Sequence, residues 1–168
     1  MKIALQRFGD ADLNDQVRQF HQAMNQPIGY DGPVVPPDDR VRFRLRLIAE
    51  EFFETLDAAV GSVEEGEYGG SIQQHLDSVR GDLNRMIDWM PIKVDLPEFI
   101  DGLGDLDYVI EGARLEFGVD GEPIADAIHT ANMLKSTGPR RADGKILKPE
   151  GWQPPDIEGE LVKQGWKR

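Results

Sequence analysis

Apolar residues recur at spacings of three and four through most of this sequence, in stretches punctuated by Gly and Pro, and nothing alternates clearly as a half-buried strand does. That periodicity confines the chain to helices packed on helices. The spacing predicts a first helix from about Leu13 to Met24, with Val17, Phe20 and Met24 on one side. Gly29 to Pro37 holds two Gly and three Pro and must be a loop. Asp38 or Asp39 can then cap a second helix reaching about Ala59. Gly61, Gly66, Gly69 and Gly70 break the chain, and a third helix covers Ser71 to Met90 before Pro91. Asp95 caps a fourth, with Pro97 in its first turn, where a missing N–H is tolerated. It ends at Gly118 or Gly121, and a short fifth runs from Pro123 to Lys135. The expected architecture is all-α. A single domain over residues 1–168 forms a four-helix-bundle-like fold, and residues 136–168 make an irregular tail, basic at first and then Pro-rich.

At 168 residues the chain can bury a core without disulfide or metal staples. Cys is absent, which excludes disulfides, thiolate metal sites, iron–sulfur clusters and cysteine nucleophiles. No apolar run approaches the roughly 20 residues needed to span a bilayer. Met1 to Arg7 lacks the apolar core of a signal peptide, so a cytoplasmic location is expected. Asp and Glu number 31 against 19 Lys and Arg, a formal net charge of −12. Such a balance repels nucleic-acid backbones and anionic membranes and welcomes divalent cations, so neither nucleic acid nor membrane is an expected partner.

The acids are clustered. On the second helix, Glu50, Glu51 and Glu54 form an E-E-x-x-E pattern, while Val41, Leu45, Ile48, Phe52 and Leu56 make one apolar stripe. At about 100° per residue, Glu51 and Glu54 lie roughly opposite that stripe and Glu50 slightly to one side. A solvated face is the plain reading. Against it, Phe43 and Leu47 share the acidic side, and Glu50–Glu54 and Glu51–Glu54 are like-charge neighbours that repel without a counter-ion. On the fourth helix, Glu98, Asp101 and Asp105 fall together, opposite a core stripe of Leu96, Phe99, Leu103, Leu106, Ile110, Ala113 and Phe117. No basic residue separates Lys93 from Arg114, so this face accumulates repulsion. Gly102 and Gly104 each cost up to ~1 kcal/mol in a helix interior and suggest close packing or room for a ligand. Two such helices converging across a bundle could hold hard cations such as Mg²⁺ or Mn²⁺. A di-iron bundle needs Glu-x-x-His twice, and only Asp126 to His129 comes near.

Between Asn132 and Lys148 lie five of the 19 basic residues: Lys135, Arg140, Arg141, Lys145 and Lys148. A solvated basic loop accounts for such a run. Opposite a metal-binding carboxylate cluster, it also suits a polyphosphate, whose charge metal and basic side chains neutralise together.

Taken in order, E-E-x-x-E at Glu50–Glu54, E-x-x-D at Glu98–Asp101, the run from Asp101 to Val109, Asn132-Met133-x-Lys135 and Asp143-Gly144-Lys145-x-x-Lys148 resemble the all-α nucleoside triphosphate pyrophosphohydrolases. These make up the MazG-like superfamily, and the likeness is to its phosphoribosyl-ATP pyrophosphohydrolase-like branch. It covers the chain from Phe20 to Asp156. Between Glu54 and Glu98 stand 43 residues, more than is typical of the family, and Ser62 to Gln74 reads as an inserted loop.

The resemblance implies that fold and Mg²⁺-dependent hydrolysis of a nucleoside triphosphate between the α and β phosphates, with Mn²⁺ able to substitute. It implies Glu51, Glu54, Glu98 and Asp101 as metal ligands, Asp105 as a further ligand or its support, and Glu50 as the base for the attacking water. Asn132, Lys135, Lys145 and Lys148 would hold phosphates, and His21 would wall the nucleoside pocket. Family members are usually dimers or tetramers, so a homodimer or homotetramer is expected, with the site near a subunit interface. The substrate would be dUTP or another dNTP. Alternatives are a true phosphoribosyl-ATP pyrophosphohydrolase of histidine synthesis and a non-catalytic acidic helical protein that binds metal or a partner. Of the remaining residues, Arg44 and Arg46 are expected to pair with local acids, His75 to lie at the surface and His129 to bond locally. Trp89, Trp152 and Trp166 are expected as core or interface anchors, with base stacking the other role open to Trp152.

Overall fold

The computed structural model describes residues 12–28, 32–60, 69–140 and 146–167. Six helices form along them: α1 (Leu13–Ala23), α2 (Asp38–Val60), α3 (Gly69–Trp89), α4 (Leu96–Glu116), α5 (Gly121–Ser136) and α6 (Ile157–Lys163). The all-α expectation holds, and among the described residues the only β pairing is one isolated bridge, Arg140 with Ile146. Helix α3 begins at Gly69, so the last part of the expected inserted loop is helical, while Ser62 to Tyr68 lie outside the described residues. The tail carries the short helix α6, capped by the Asp156 carboxylate, which accepts from the Gly159 amide at 2.9 Å. No helix among the described residues is long and apolar enough to cross a membrane.

The chain divides into two compact units, one spanning Pro33–Phe99 and the other Met1–Gly32 with Ile100–Arg168. In the first, α2 and α3 pack antiparallel. Arg42 near the start of α2 donates to the carbonyls of Ile87 and, at 2.7 Å, Met90, satisfying acceptors that the end of α3 leaves open. Toward the other end, Arg80 pairs with Asp57 at 2.5 Å and lies 5.2 Å over the Phe53 ring. Val41, Phe53 and Ile87 are the buried apolar residues here.

This corrects the stripe read on α2. Phe53 is 3% exposed, whereas Phe52, placed in the stripe, is 57% exposed. The side of α2 that meets α3 runs through Arg42, Arg46, Ala49, Phe53 and Asp57, about a quarter-turn from the stripe at ~100° per residue. The face that packs is half polar, which periodicity alone does not find. Phe53→Ala is expected to lower the unfolding free energy by about 3–5 kcal/mol, read from urea denaturation. Phe52→Ala, at an exposed position, is expected to change it by less than about 1 kcal/mol.

In the second unit α1 packs on α5, joined by a bond from Gln16 Nε2 to Asp126 Oδ1 at 2.5 Å. Helix α6 lies against α5, where Gln164 accepts from the Asp120 amide at 2.8 Å and donates to the Asp120 carbonyl at 3.1 Å. Helix α4 contains no buried residue. Of its expected core stripe, Leu96, Phe99 and Leu103 are half-buried, but Leu106, Ile110 and Phe117 are exposed, Phe117 to 85%.

Candidate active site

On α2 the exposed Glu50 and Glu54 share a cleft of about 410 Å³ with Arg46, Ala49, Phe53, Arg80 and Asn84, all within the α2–α3 unit. Both guanidinium groups in this cleft are engaged elsewhere. Arg46 pairs with Asp88, as expected of a local ion pair, and Arg80 with Asp57. Arg44 lies over the Phe43 ring at 5.6 Å, and burial, with Arg40 nearby, lowers its pKa. Glu51 is exposed and does not line the cleft.

The carboxylates of α4 are likewise exposed. Glu98 stands in the first turn, where negative charge favours the helix N-terminus. It belongs with Glu50, Glu51 and Glu54 to the Pro33–Phe99 unit, and Asp101 and Asp105 belong to the other. A methyl group added at Gly102 or Gly104 would meet nothing within 4 Å, so close packing inside the chain does not explain these glycines.

Among the described residues, ion pairs involve Asp57, Asp77, Asp82, Asp88, Glu111 and Glu160. None involves Glu50, Glu51, Glu54, Glu98, Asp101 or Asp105. Arginine neutralises Asp57, Asp77, Asp82, Asp88 and Glu111, and the motif acids are left bare. Their hard, anionic oxygens suit Mg²⁺ or Mn²⁺. The described residues do not gather three or more His, Asp or Glu at metal-holding distance, so the fit is one of donor chemistry.

The second unit carries a cleft of about 570 Å³ between α1, α5 and the end of α4. Leu13, Val17, Phe20, Ile124, Ala125 and Ile128 give it an apolar lining, with Arg114, His129 and Asn132 among its polar groups. His21, expected to wall a nucleoside pocket, is hydrogen-bonded through Nδ1 to the Pro27 carbonyl at 2.9 Å, and its neighbour Phe20 lines the cleft. Asn132 links the cleft to the basic segment, its Oδ1 accepting from Lys135 Nζ at 3.0 Å. Lys135 and Lys148 both lie over the Trp152 ring, at 5.1 and 4.1 Å. Lys145 lies outside the described residues. The place of Trp152 beside the lysines depends on the tail folding back, a nonlocal event with only the turn signal Gly138-Pro139 to announce it in sequence.

Residues 17–132, which include both carboxylate motifs, match the model of the phosphoribosyl-ATP pyrophosphohydrolase family. The chain belongs to this family. A crystal structure from Exiguobacterium sp. 255-15, described as a "putative NTP pyrophosphohydrolase", is 27% identical and superposes with a TM-score of 0.65 over 92% of this chain and 96% of that one. No curated protein matches significantly. The chain is therefore a pyrophosphohydrolase of all-α fold. Lys135 and the tail that follows lie beyond the residues the family model matches.

Proposed function

We propose that this pyrophosphohydrolase cleaves a nucleoside triphosphate, dUTP or another dNTP, into the nucleoside monophosphate and pyrophosphate. The observation that carries this reading is the set of six motif carboxylates left without an ion pair, while arginine matches Asp57, Asp77, Asp82 and Asp88 on α2 and α3 and Glu111 on α4. Glu51, Glu54, Glu98 and Asp101 would hold Mg²⁺, or Mn²⁺ in its place, with Asp105 as a further ligand or support. Bound there, the cation offsets negative charge on the phosphate oxygens.

Glu50 takes the proton from a water molecule as its oxygen bonds to the α-phosphorus. The bond from that phosphorus to the α–β bridging oxygen breaks, and pyrophosphate leaves with the bond's electron pair. Asn132, Lys135, Lys145 and Lys148 hold phosphate oxygens. The apolar cleft lined by Phe20 and Ile128 receives the nucleoside, with Asn132 at the junction between base and phosphates.

A second reading, phosphoribosyl-ATP as substrate, is favoured by the family whose model the chain matches. The reactions differ in substrate and share the bond broken. Release of pyrophosphate from dUTP, dCTP, dATP, dGTP, dTTP and phosphoribosyl-ATP, each with Mg²⁺ and with chelator, decides between them. Turnover of a dNTP to its monophosphate, abolished by chelator, is the expected result, and exclusive turnover of phosphoribosyl-ATP establishes the second reading. Inorganic phosphate and a diphosphate as products would overturn the assigned bond. Silence across the panel in folded, Mg²⁺-binding protein would favour a non-catalytic binding protein.

The active form we propose is a homodimer, or a homotetramer built from two. Leu106 and Ile110 on α4, with Phe117 just past its end, give one exposed apolar stripe, and a helix this rich in apolar surface is ordinarily covered. A second copy presenting the same stripe covers it isologously.

A further inference from the structure

Lys135 stands in the last turn of α5, and Lys148 follows it by 13 residues, yet both ammonium groups reach one indole ring. The described residues on either side of 141–145 are drawn together. The Leu147 amide donates to the Pro139 carbonyl at 2.9 Å, and Arg140 bridges Ile146. A Cβ on Gly138 would lie 1.7 Å from the Leu147 carbonyl oxygen, so only glycine permits this approach. Lys148, next to Leu147, is thereby returned to the end of α5.

Trp152 completes the arrangement. Its indole N–H donates to the Ala131 carbonyl at 2.9 Å, one turn before Lys135, which fixes the ring against α5. Its ring centroid lies 4.1 Å from the Lys148 ammonium and 5.1 Å from that of Lys135, and Lys135 is further held by Asn132. Among the described residues no carboxylate forms an ion pair with either lysine, although acids outnumber bases 31 to 19 along the chain. Two like charges held on one aromatic ring, in an acidic protein and without acidic partners, form a subsite for a multiply charged anion.

We propose that Trp152 is a positioning residue, holding Lys135 and Lys148 together as a cradle for the pyrophosphate portion of the substrate. The proposal rests on the reading of these two lysines as phosphate-binding groups. Trp152 acts through the lysines by cation–π attraction rather than by stacking on a base, since two ammonium groups already lie over its ring.

The test uses the full chain with Mg²⁺ and inorganic pyrophosphate as the calorimetric probe, alongside steady-state kinetics on the best triphosphate. Trp152→Phe keeps a ring and is expected to bind pyrophosphate within about threefold of the parent. Trp152→Leu keeps apolar bulk and loses the ring, and is expected to raise the pyrophosphate Kd and the KM by roughly fivefold or more, with kcat within about twofold. Combined with Lys148→Gln, the Trp152→Leu effect is expected to shrink, since the ring then has one lysine left to hold.

Equal effects of the Phe and Leu variants, or full additivity with Lys148→Gln, would overturn the positioning role. Far-ultraviolet circular dichroism and Tm identify a variant that fails to fold, in which case the Lys135→Gln and Lys148→Gln cycle decides, additive losses of pyrophosphate affinity overturning the joint cradle. If Lys148→Gln and Lys135→Gln both leave pyrophosphate binding unchanged, the phosphate-binding reading of the lysines fails instead. A loss confined to Trp152→Leu in kcat would likewise overturn the cradle.

Discussion

Replacing Glu50 by Gln is expected to lower kcat by about 10²–10⁴-fold while leaving the fold and Mg²⁺ binding in place. The substitution is nearly isosteric, and Gln is as good a helix former as Glu. It removes the group proposed to accept the water's proton. It also removes one member of the Glu50–Glu54 repulsion, so stability should hold or rise by about 0.2–0.5 kcal/mol. No compensating ion pair is broken, since Arg46 and Arg80 in the same cleft are matched by Asp88 and Asp57. Asp101→Asn serves as the contrast. There the expected first loss is Mg²⁺ affinity, with activity partly restored by raising the metal concentration. Calorimetric titration of Mg²⁺ beside turnover separates the two behaviours. A Glu50→Gln enzyme with near-parental kcat would remove Glu50 from the role of base, and one that no longer bound Mg²⁺ would make it a ligand.

What could be read from the sequence follows the range of the signal. Helix boundaries are local, and they were legible. Pro91 stops α3 close to its end at Trp89, and Asp95 with Pro97 opens α4 at Leu96. Motif acids were legible as residue types at a spacing. Their freedom from ion pairs was not, because it depends on Arg46 and Arg80 finding Asp88 and Asp57 across two helices. The packed face of α2 was misread for a related reason. Apolar periodicity locates the most hydrophobic stripe, whereas α3 is met by a face where Phe53 sits among arginines and an aspartate. Helix α6 was hidden by its length of seven residues and by Gly159 within it, although its Asp156 cap was visible. That glycine has a local cause, since a Cβ there would lie 2.2 Å from Asp156 Oδ2. Trp152 gave no sequence signal of its own, because its partners come from a turn of α5 and from a fold-back that Gly138 alone foreshadows.

The stripe on α4 supplies the second large effect. Leu106, Ile110 and Phe117 recur as a core helix requires, yet all are exposed in the single chain. A second copy reconciles the two facts. Ile110→Asp should therefore leave the isolated chain folded, because the side chain it replaces is 47% exposed there. In the oligomer it would bury a carboxylate without a partner, at a cost of several kcal/mol. Each 1.4 kcal/mol is a factor of ten, so association should weaken by roughly 10²–10³-fold. Light scattering after size-exclusion chromatography is expected to show a dimer or tetramer for the parent chain and a helical monomer for the variant. Asp101 and Asp105 share this helix, so a site completed at the subunit interface should lose turnover in step with dissociation. Activity followed against protein concentration then links the two. If the variant's specific activity recovers at concentrations that restore the oligomer, the interface is part of the catalytic apparatus. A monomeric parent chain, or an Ile110→Asp variant still assembled at micromolar concentration, would remove the stripe from the interface. The bare apolar face of α4 would then have to meet something other than a second copy.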